Sequence, residues 1–324
     1  HTITHLADYL DVFSKNLESR GVKVHWAKDA QEFNEIVLGI LNDHHVKKMV
    51  KSKSMLTEEC EMNPYLEKHG IDVVETDLGE RIIQLLGQKP SHIVMPAIHL
   101  KREEVGKMFE EKGISKEIGN YDPTYLTRCA RHHLRNQFME AGAGMTGCNF
   151  GVAETGDCVV CTNEGNADMT TSMPKLHIVA MGIEKLVPDY KSLAVFQRLL
   201  CRCGTGQPTT AFTSHFRQAR PGAEMHVVLV DNGRSDILAD KDHWQTLKCM
   251  RCGACMNTCP VYRRSGGYSY TYFIPGPVGV NLGMLKNPQK YADNVSACTL
   301  CLSCDNVCPS KVGPGSQIYV WRQS

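Results

Sequence analysis

Eight of the fifteen cysteines in this 324-residue chain fall into two copies of one short pattern. Cys249, Cys252, Cys255 and Cys259 precede Pro260, and Cys298, Cys301, Cys304 and Cys308 precede Pro309, so C-x2-C-x2-C-x3-C-P occurs twice. Spacings this short let three thiolates on one turning backbone reach three corners of a 4Fe-4S cube. The fourth cysteine, displaced by a helical step, ligates the neighbouring cube. The expected ligand sets therefore interlock: Cys249, Cys252, Cys255 and Cys308 for cluster I, and Cys298, Cys301, Cys304 and Cys259 for cluster II. Gly253, Ala254 and Ser303 are small enough to let backbone N–H groups approach the sulfurs and tune the potential. Two structural zinc sites are the first alternative, because zinc also uses paired C-x2-C motifs, but the third cysteine and the Cys-Pro ending would then lack a purpose. Purely structural cubes are the second, and two adjacent cubes serve better as a wire.

The other seven cysteines, Cys60, Cys129, Cys148, Cys158, Cys161, Cys201 and Cys203, lie outside these motifs. Two readings stand: buried thiols acting as small hydrophobes, or an additional metal or redox centre built partly from Cys148, Cys201 and Cys203. Cys158 and Cys161 sit three apart on an expected strand and so should point to opposite faces. Polar, glycine-bearing segments offer a separate ligand site: Lys51, Ser52, Lys53 and Ser54; residues 151–156, with Glu154 and Thr155; residues 163–166, with Asn163, Glu164 and Asn166; and residues 204–207, with Thr205. The lysines and loop N–H groups could hold a carboxylate or phosphate, and Glu154 or Glu164 could accept a proton. Ordinary turn chemistry is the competing explanation. The adjacent pairs His44-His45 and His132-His133 are expected to be surface or core histidines, since neighbours in sequence point apart.

Elements must carry these residues to one place, and the chain reads as alternating strand and helix. A helix starts at Asp29, with Glu32 in capping-box spacing and an apolar stripe through Phe33, Ile36, Val37, Ile40 and Leu41. Strands are expected at 46–50, 71–75, 92–96, 158–162, 176–181 and 225–230. Helices are expected from Thr57 to Gly70, from 79 to 86, from Asp122-Pro123 and from 188 to 200. That rhythm predicts one mostly parallel α/β sheet over residues 1–240, whose loops at the carboxyl ends of the strands converge on a crevice. After Trp244, cysteine motifs and Gly/Pro runs predict a small α-helical, ferredoxin-like domain over 241–324, organised by its two clusters.

Bulk properties bound the partners. Lys plus Arg total 36 against 35 Asp plus Glu, so no global field points to nucleic acid or an anionic membrane. No apolar run approaches a membrane span, residues 1–13 lack the basic and apolar regions expected of a signal peptide, and thiolate ligands favour a reducing compartment. A soluble, cytoplasmic protein is expected, any membrane association arising through partners. No G-x-G-x-x-G fingerprint for a flavin or nicotinamide is found.

Several strings match a known family as an ordered set: VKSKSMLTEE (50–59), VETDLGERIIQL (74–85), PSHIVMPAIH (90–99), NFGVAETG (149–156), TNEGN (162–166), MGIEKLVP (181–188), VVLVDNGRS (227–235) and CMRCGACMNTCPVYRRSGG (249–267). On these the chain resembles the lactate utilization protein B family over nearly its whole length. The resemblance implies a LUD domain, with a fold like ribose-5-phosphate isomerase and CoA-transferase proteins, joined to a two-cluster ferredoxin segment. It further implies the iron-sulfur subunit of a flavin-independent L-lactate dehydrogenase complex that makes pyruvate. The companions would be a CCG-motif protein and a smaller LUD protein, with a small hydroxy acid as substrate and an electron acceptor downstream. Cys60, Cys148, Cys158, Cys161, Cys201 and Cys203 depart from the aliphatic or small polar residues expected there, and the stretch between Cys259 and Cys298 is shorter than expected. A non-catalytic electron-transfer scaffold and a CoA-transferase-like enzyme with regulatory clusters are the competing functional readings.

Overall fold

The computed structural model describes residues 1–323. Ten strands form two sheets: β1 (Lys23–Ala27), β2 (Lys48–Lys51), β3 (Asp72–Glu75), β4 (Ala143–Thr146), β5 (Phe150–Val152), β6 (Asp157–Thr162), β7 (Leu176–Gly182), β8 (Leu186–Val187), β9 (Phe212–Phe216) and β10 (Glu224–Val230). The larger sheet has the order β1-β10-β7-β4-β2-β3 and is parallel throughout. Its central strands are apolar on both faces, as a sheet covered on both sides must be. On β7, Ile178 and Ala180 face the core made with Phe33, Val37 and Leu41 of helix Ala30–Asp43. Val179 and Met181 face a second core made with Leu6, Leu10, Phe13 and Leu17 of helix Leu6–Glu18.

The second sheet, β8-β5-β6-β9, was not foreseen as a separate layer. It contains antiparallel pairs β5–β6 and β6–β9, and only β5–β8 is parallel. The alternation of β6 explains its position. Cys158 packs with the Leu6–Glu18 core, while Val159 and Cys161 pack on the other side against Phe150, Leu193, Met250 and Cys252. The first cysteine motif thus becomes part of a core that begins in the α/β domain.

Three sequence expectations are corrected. The strand expected at 92–96 is irregular: Val94 and Met95 donate their N–H groups to His92 Nδ1 at 3.0 and 3.1 Å, and Ile93 inserts into the core of the cysteine segment. The helix expected from Thr57 to Gly70 breaks into Met55–Glu59 and Met62–Lys68. Pro64 has no N–H for the Cys60 carbonyl, which accepts from Asn34 Nδ2 instead at 2.8 Å, and Glu61 turns left-handed with φ 49°. The helix expected to stop at Leu200 runs from Tyr190 to Thr205, so Cys201, Cys203 and Thr205 are helical, and the chain turns only at Gly206, φ 75°.

After residue 240 the two cysteine motifs fold alike. Arg251 and Gly253 in the first, and Leu300 and Leu302 in the second, take positive φ between 53° and 81°. The left-handed turns aim Arg251 N at Cys249 Sγ and Leu300 N at Cys298 Sγ, both at 3.4 Å. Each turn leads into a short helix, Ala254–Thr258 and Ser303–Val307, and the two helices pack against each other.

Candidate functional site

The cysteines converge across the two motifs. Cys249, Cys252, Cys255 and Cys308 line one small cavity together with Ile93 and Val278. On the other side, Cys298 has Cys259 and Cys301 as charge neighbours, and Cys304 has Cys298 and Cys259. Among the described residues no three cysteine sulfurs lie within 4.8 Å of one another. The donor set, four thiolates drawn from the two C-x2-C-x2-C-x3-C-P motifs, fits iron-sulfur clusters, which would supply one-electron redox chemistry.

Beside the first set lies a larger cavity of about 450 Å³. It opens where the carboxyl ends of β2, β4 and β7 meet the cysteine segment, and its wall includes Gly147, Gly182, Met250, Arg251 and Cys252. Cys252 lines both cavities.

Charge dominates the inner wall of the larger cavity. Arg234 is 6% exposed and donates to Glu59 through Nη1 and Nη2, both at 3.0 Å, and through Nε to Glu184 at 2.6 Å. Burial opposes the Glu184 charge, but Arg234, Lys185 and Arg251 outweigh it and hold its carboxyl at about 2. Glu59 is likewise held below the usual carboxylate range against its burial by Arg234. Lys185 Nζ reaches Cys249 O at 3.4 Å, and burial lowers its pKa. Arg251 Nη1 is buried without a hydrogen-bond partner. On this inner wall the cations Arg234, Arg251 and Lys185 face the carboxylates Glu59 and Glu184, and the lining adds Lys53, Asp77 and Glu164; the unpartnered Arg251 Nη1 is the donor left open to an anion. Asn166 adds a buried Oδ1 with no partner.

The expected residues divide. Lys53, Ser54, Asn163, Glu164, Asn166 and Thr205 line the cavity, as do Cys148 and Cys201. Lys53 Nζ donates to Val94 O at 2.8 Å. Glu164 lies near the mouth and accepts from Leu78 N at 3.2 Å; crowded surroundings and then Asp77 push its carboxyl up to about 7. Lys51 lies outside, 1% exposed, with Nζ 2.7 Å from Glu75, 2.8 Å from Thr57 Oγ1 and 3.3 Å from Glu58. Burial works against the Lys51 charge, but Glu75 and Glu58 outweigh it and raise its pKa. Ser52 is buried beside it. Glu154 accepts from Tyr190 N at 2.9 Å and Thr155 O accepts from Arg20, so both serve the second sheet's edge.

The Cys148 thiol donates to Phe150 O at 3.1 Å, and that of Cys201 to Gln197 O and Pro208 O, both at 3.2 Å. Cys203 packs half-buried in the core shared with Cys252. Sequence reasoning missed Arg234, Glu59, Glu184, Lys185 and Arg251. Two signals were available: the Glu-Lys and Asn-Gly-Arg strings at the ends of β7 and β10, and an arginine inside the first C-x2-C turn.

Comparison with known proteins places the chain. The LUD domain family matches residues 10–236, and a 4Fe-4S dicluster domain matches residues 245–312. Lactate utilization protein B of Macrococcus caseolyticus is 43% identical over 96% of this chain and 66% of its own length. That of Bacillus pumilus is 44% identical over 96% of this chain and 67% of its own. The chain spans about two thirds of the length of these relatives. A solved DUF162-family protein from Deinococcus radiodurans aligns over 69% of this chain and 98% of its own at 13% identity, with a TM-score of 0.38. With both matches in that order along one chain, the protein belongs to the LUD-domain family, among the members that carry a 4Fe-4S dicluster segment and are called lactate utilization protein B.

Proposed function

We propose that this chain is the iron-sulfur subunit of a complex that oxidises L-lactate to pyruvate, with an α/β domain over about residues 1–240 and a two-cluster segment over 241–324. One observation carries the reading: Cys252 is shared by the cysteine cavity and by the larger cavity at the carboxyl ends of the parallel strands, where Arg251 keeps an unpartnered buried donor. A carboxylate held by Arg251 and Lys185 would lie beside cluster I, bound by Cys249, Cys252, Cys255 and Cys308. Glu164, poised near neutrality, is the residue we assign to take up the hydroxyl proton. Oxidation of lactate would release two electrons and two protons, and the clusters held by these cysteines would supply one-electron redox chemistry. Cys259, Cys298, Cys301 and Cys304 would hold cluster II, and this side would be the exit: Cys301 is exposed, and Leu302 and Val307 beside it present apolar surface to a partner. Dividing the electron pair requires a further centre, which we assign to a companion subunit, either the CCG-motif protein or the smaller LUD protein. Among the described residues no helix is long and apolar enough to cross a membrane; the thiolate ligands of the two cysteine motifs are the ground on which we assign the complex to the reducing cytoplasm.

The test is iron and acid-labile sulfide per chain on anaerobically purified protein, with EPR before and after dithionite and after L-lactate. About eight iron per chain, with signals appearing under dithionite and not under lactate alone, agrees with two cubes and a subunit that needs its companions. Iron clearly below eight, or reduction by lactate without companions, contradicts this reading.

A further inference from the structure

At the opposite end of the large sheet from the cavity, the fold assembles a second group of ligand-type side chains. His44 follows helix Ala30–Asp43, and Glu224 and His226 lie at the start of β10. His44 Nε2, one Glu224 carboxylate oxygen and one His226 ring nitrogen all fall within 4.8 Å of one another. No local pattern reveals this group, because the partners of His44 lie about 180 residues away in the chain.

The outer hydrogen bonds already arrange the two imidazoles for a cation. His44 Nδ1 is 2.8 Å from Ile40 O, a pure acceptor, so its proton sits on Nδ1 and its lone pair lies on Nε2, 3.4 Å from Glu224 Oε1. His226 Nε2 is 2.6 Å from the same oxygen, and its Nδ1 is 2.9 Å from His25 Nε2 in a stacked ring pair. Metal-ligating histidines are held in this way, each with its second nitrogen bonded to another protein group. With Zn–N bonds of about 2.0 Å, tetrahedral ligands stand roughly 3.3 Å apart, close to the His44 spacing.

We propose that His44, Glu224 and His226 form a divalent-cation site of the zinc class, with water as the fourth ligand. Two imidazoles and one carboxylate suit a borderline cation such as zinc rather than calcium or magnesium, which prefer all-oxygen shells. The bound ion pins the end of helix Ala30–Asp43 to the first residues of β10. One native cation competes: Lys23 Nζ lies 2.5 Å from Glu224 Oε1. Its side chain is 57% exposed and can swing into water when the ion enters.

The test is equilibrium dialysis of the anaerobic, cluster-loaded chain against zinc sulfate, followed by metal analysis. Any zinc taken by free thiols is common to wild type and the histidine variants. Wild type is expected to hold one equivalent more than His44→Ala and His226→Ala, and Lys23→Ala is expected to bind that equivalent several-fold more tightly. His44 is exposed, so His44→Ala keeps the fold, which unchanged cluster absorbance verifies. Equal zinc in wild type and His44→Ala, or weaker binding in Lys23→Ala, overturns the proposal.

Discussion

Replacing Arg234 by methionine isolates the charge logic of the cavity. Arg234 is the only described partner of the Glu184 Oε2 contact at 2.6 Å and holds both oxygens of Glu59 at 3.0 Å. Arg234→Met keeps the aliphatic bulk but takes the guanidinium from two buried carboxylates, leaving Glu184 with Lys185 and Arg251 nearby and Glu59 with Asn232 at 2.6 Å, so the loss should lie towards the lower end of the range for a broken buried pair. Breaking a buried pair on one side costs about 3–5 kcal/mol, because the remaining charge is uncompensated. At about 2–4 °C per kcal/mol for a domain of this size, the melting temperature near neutral pH should fall by roughly 6–20 °C, towards the lower figure.

The pH dependence carries the sharper sign. In wild type the Glu184 carboxyl is held at about 2, below the ordinary glutamate value of 4.5. Its stabilisation is therefore complete above 4.5 and is lost as pH falls towards 2. In Arg234→Met the burial of Glu184 and Glu59 acts unopposed by that guanidinium, so both carboxyls rise and the variant gains stability as acid neutralises them. The gap between wild type and variant should narrow between about pH 7 and pH 5. Circular dichroism melts of cluster-loaded protein across that range measure it. An unchanged melting temperature, or a gap that widens in acid, refutes the reasoning.

Three further outcomes are expected. Cys259→Ser should alter the EPR signal of cluster II and spare that of cluster I, although Cys259 lies in the first motif; a change confined to cluster I would reverse the assignment. Pyruvate affinity, followed by calorimetry, should fall as pH rises through about 7, where Glu164 becomes charged at the mouth, and Glu164→Gln should flatten that dependence. An identical slope in the variant removes Glu164 from the site. Gly267→Ala places a Cβ 1.9 Å from Ser91 O, so the loop that carries Ile93 must shift. The expected cost is about 1–3 kcal/mol, with faster loss of visible cluster absorbance in air, and unchanged kinetics would show that the loop does not protect the clusters.

What was legible in the sequence follows from how local each signal is. The cysteine motifs, the parallel rhythm and the Asp29 and Asp122 caps are written in spacings of three or four residues, and Asp29 and Asp122 do accept from Glu32 N and Tyr125 N. The second sheet was illegible because β5, β8 and β9 are short and β9 is largely exposed, so none shows a strong apolar run. The strand read at 92–96 has an apolar pattern because Ile93 is buried in the cysteine segment, a long-range contact that imitates local periodicity. Lys51 looked like a ligand for the opposite reason: its burial and its Glu75 partner are set by pairing of β2 with β3, 24 residues on in the chain. The cavity wall was invisible because Glu59, Glu184, Arg234 and Arg251 come from four distant segments.

A carboxylate bound next to cluster I is tested most directly by EPR of the dithionite-reduced chain with and without pyruvate. Pyruvate should shift the signal altered by Cys308→Ser, leave the signal altered by Cys301→Ser in place, and lose its effect in Lys185→Met. A spectrum untouched by pyruvate, or a shift confined to the Cys301 cluster, would contradict it.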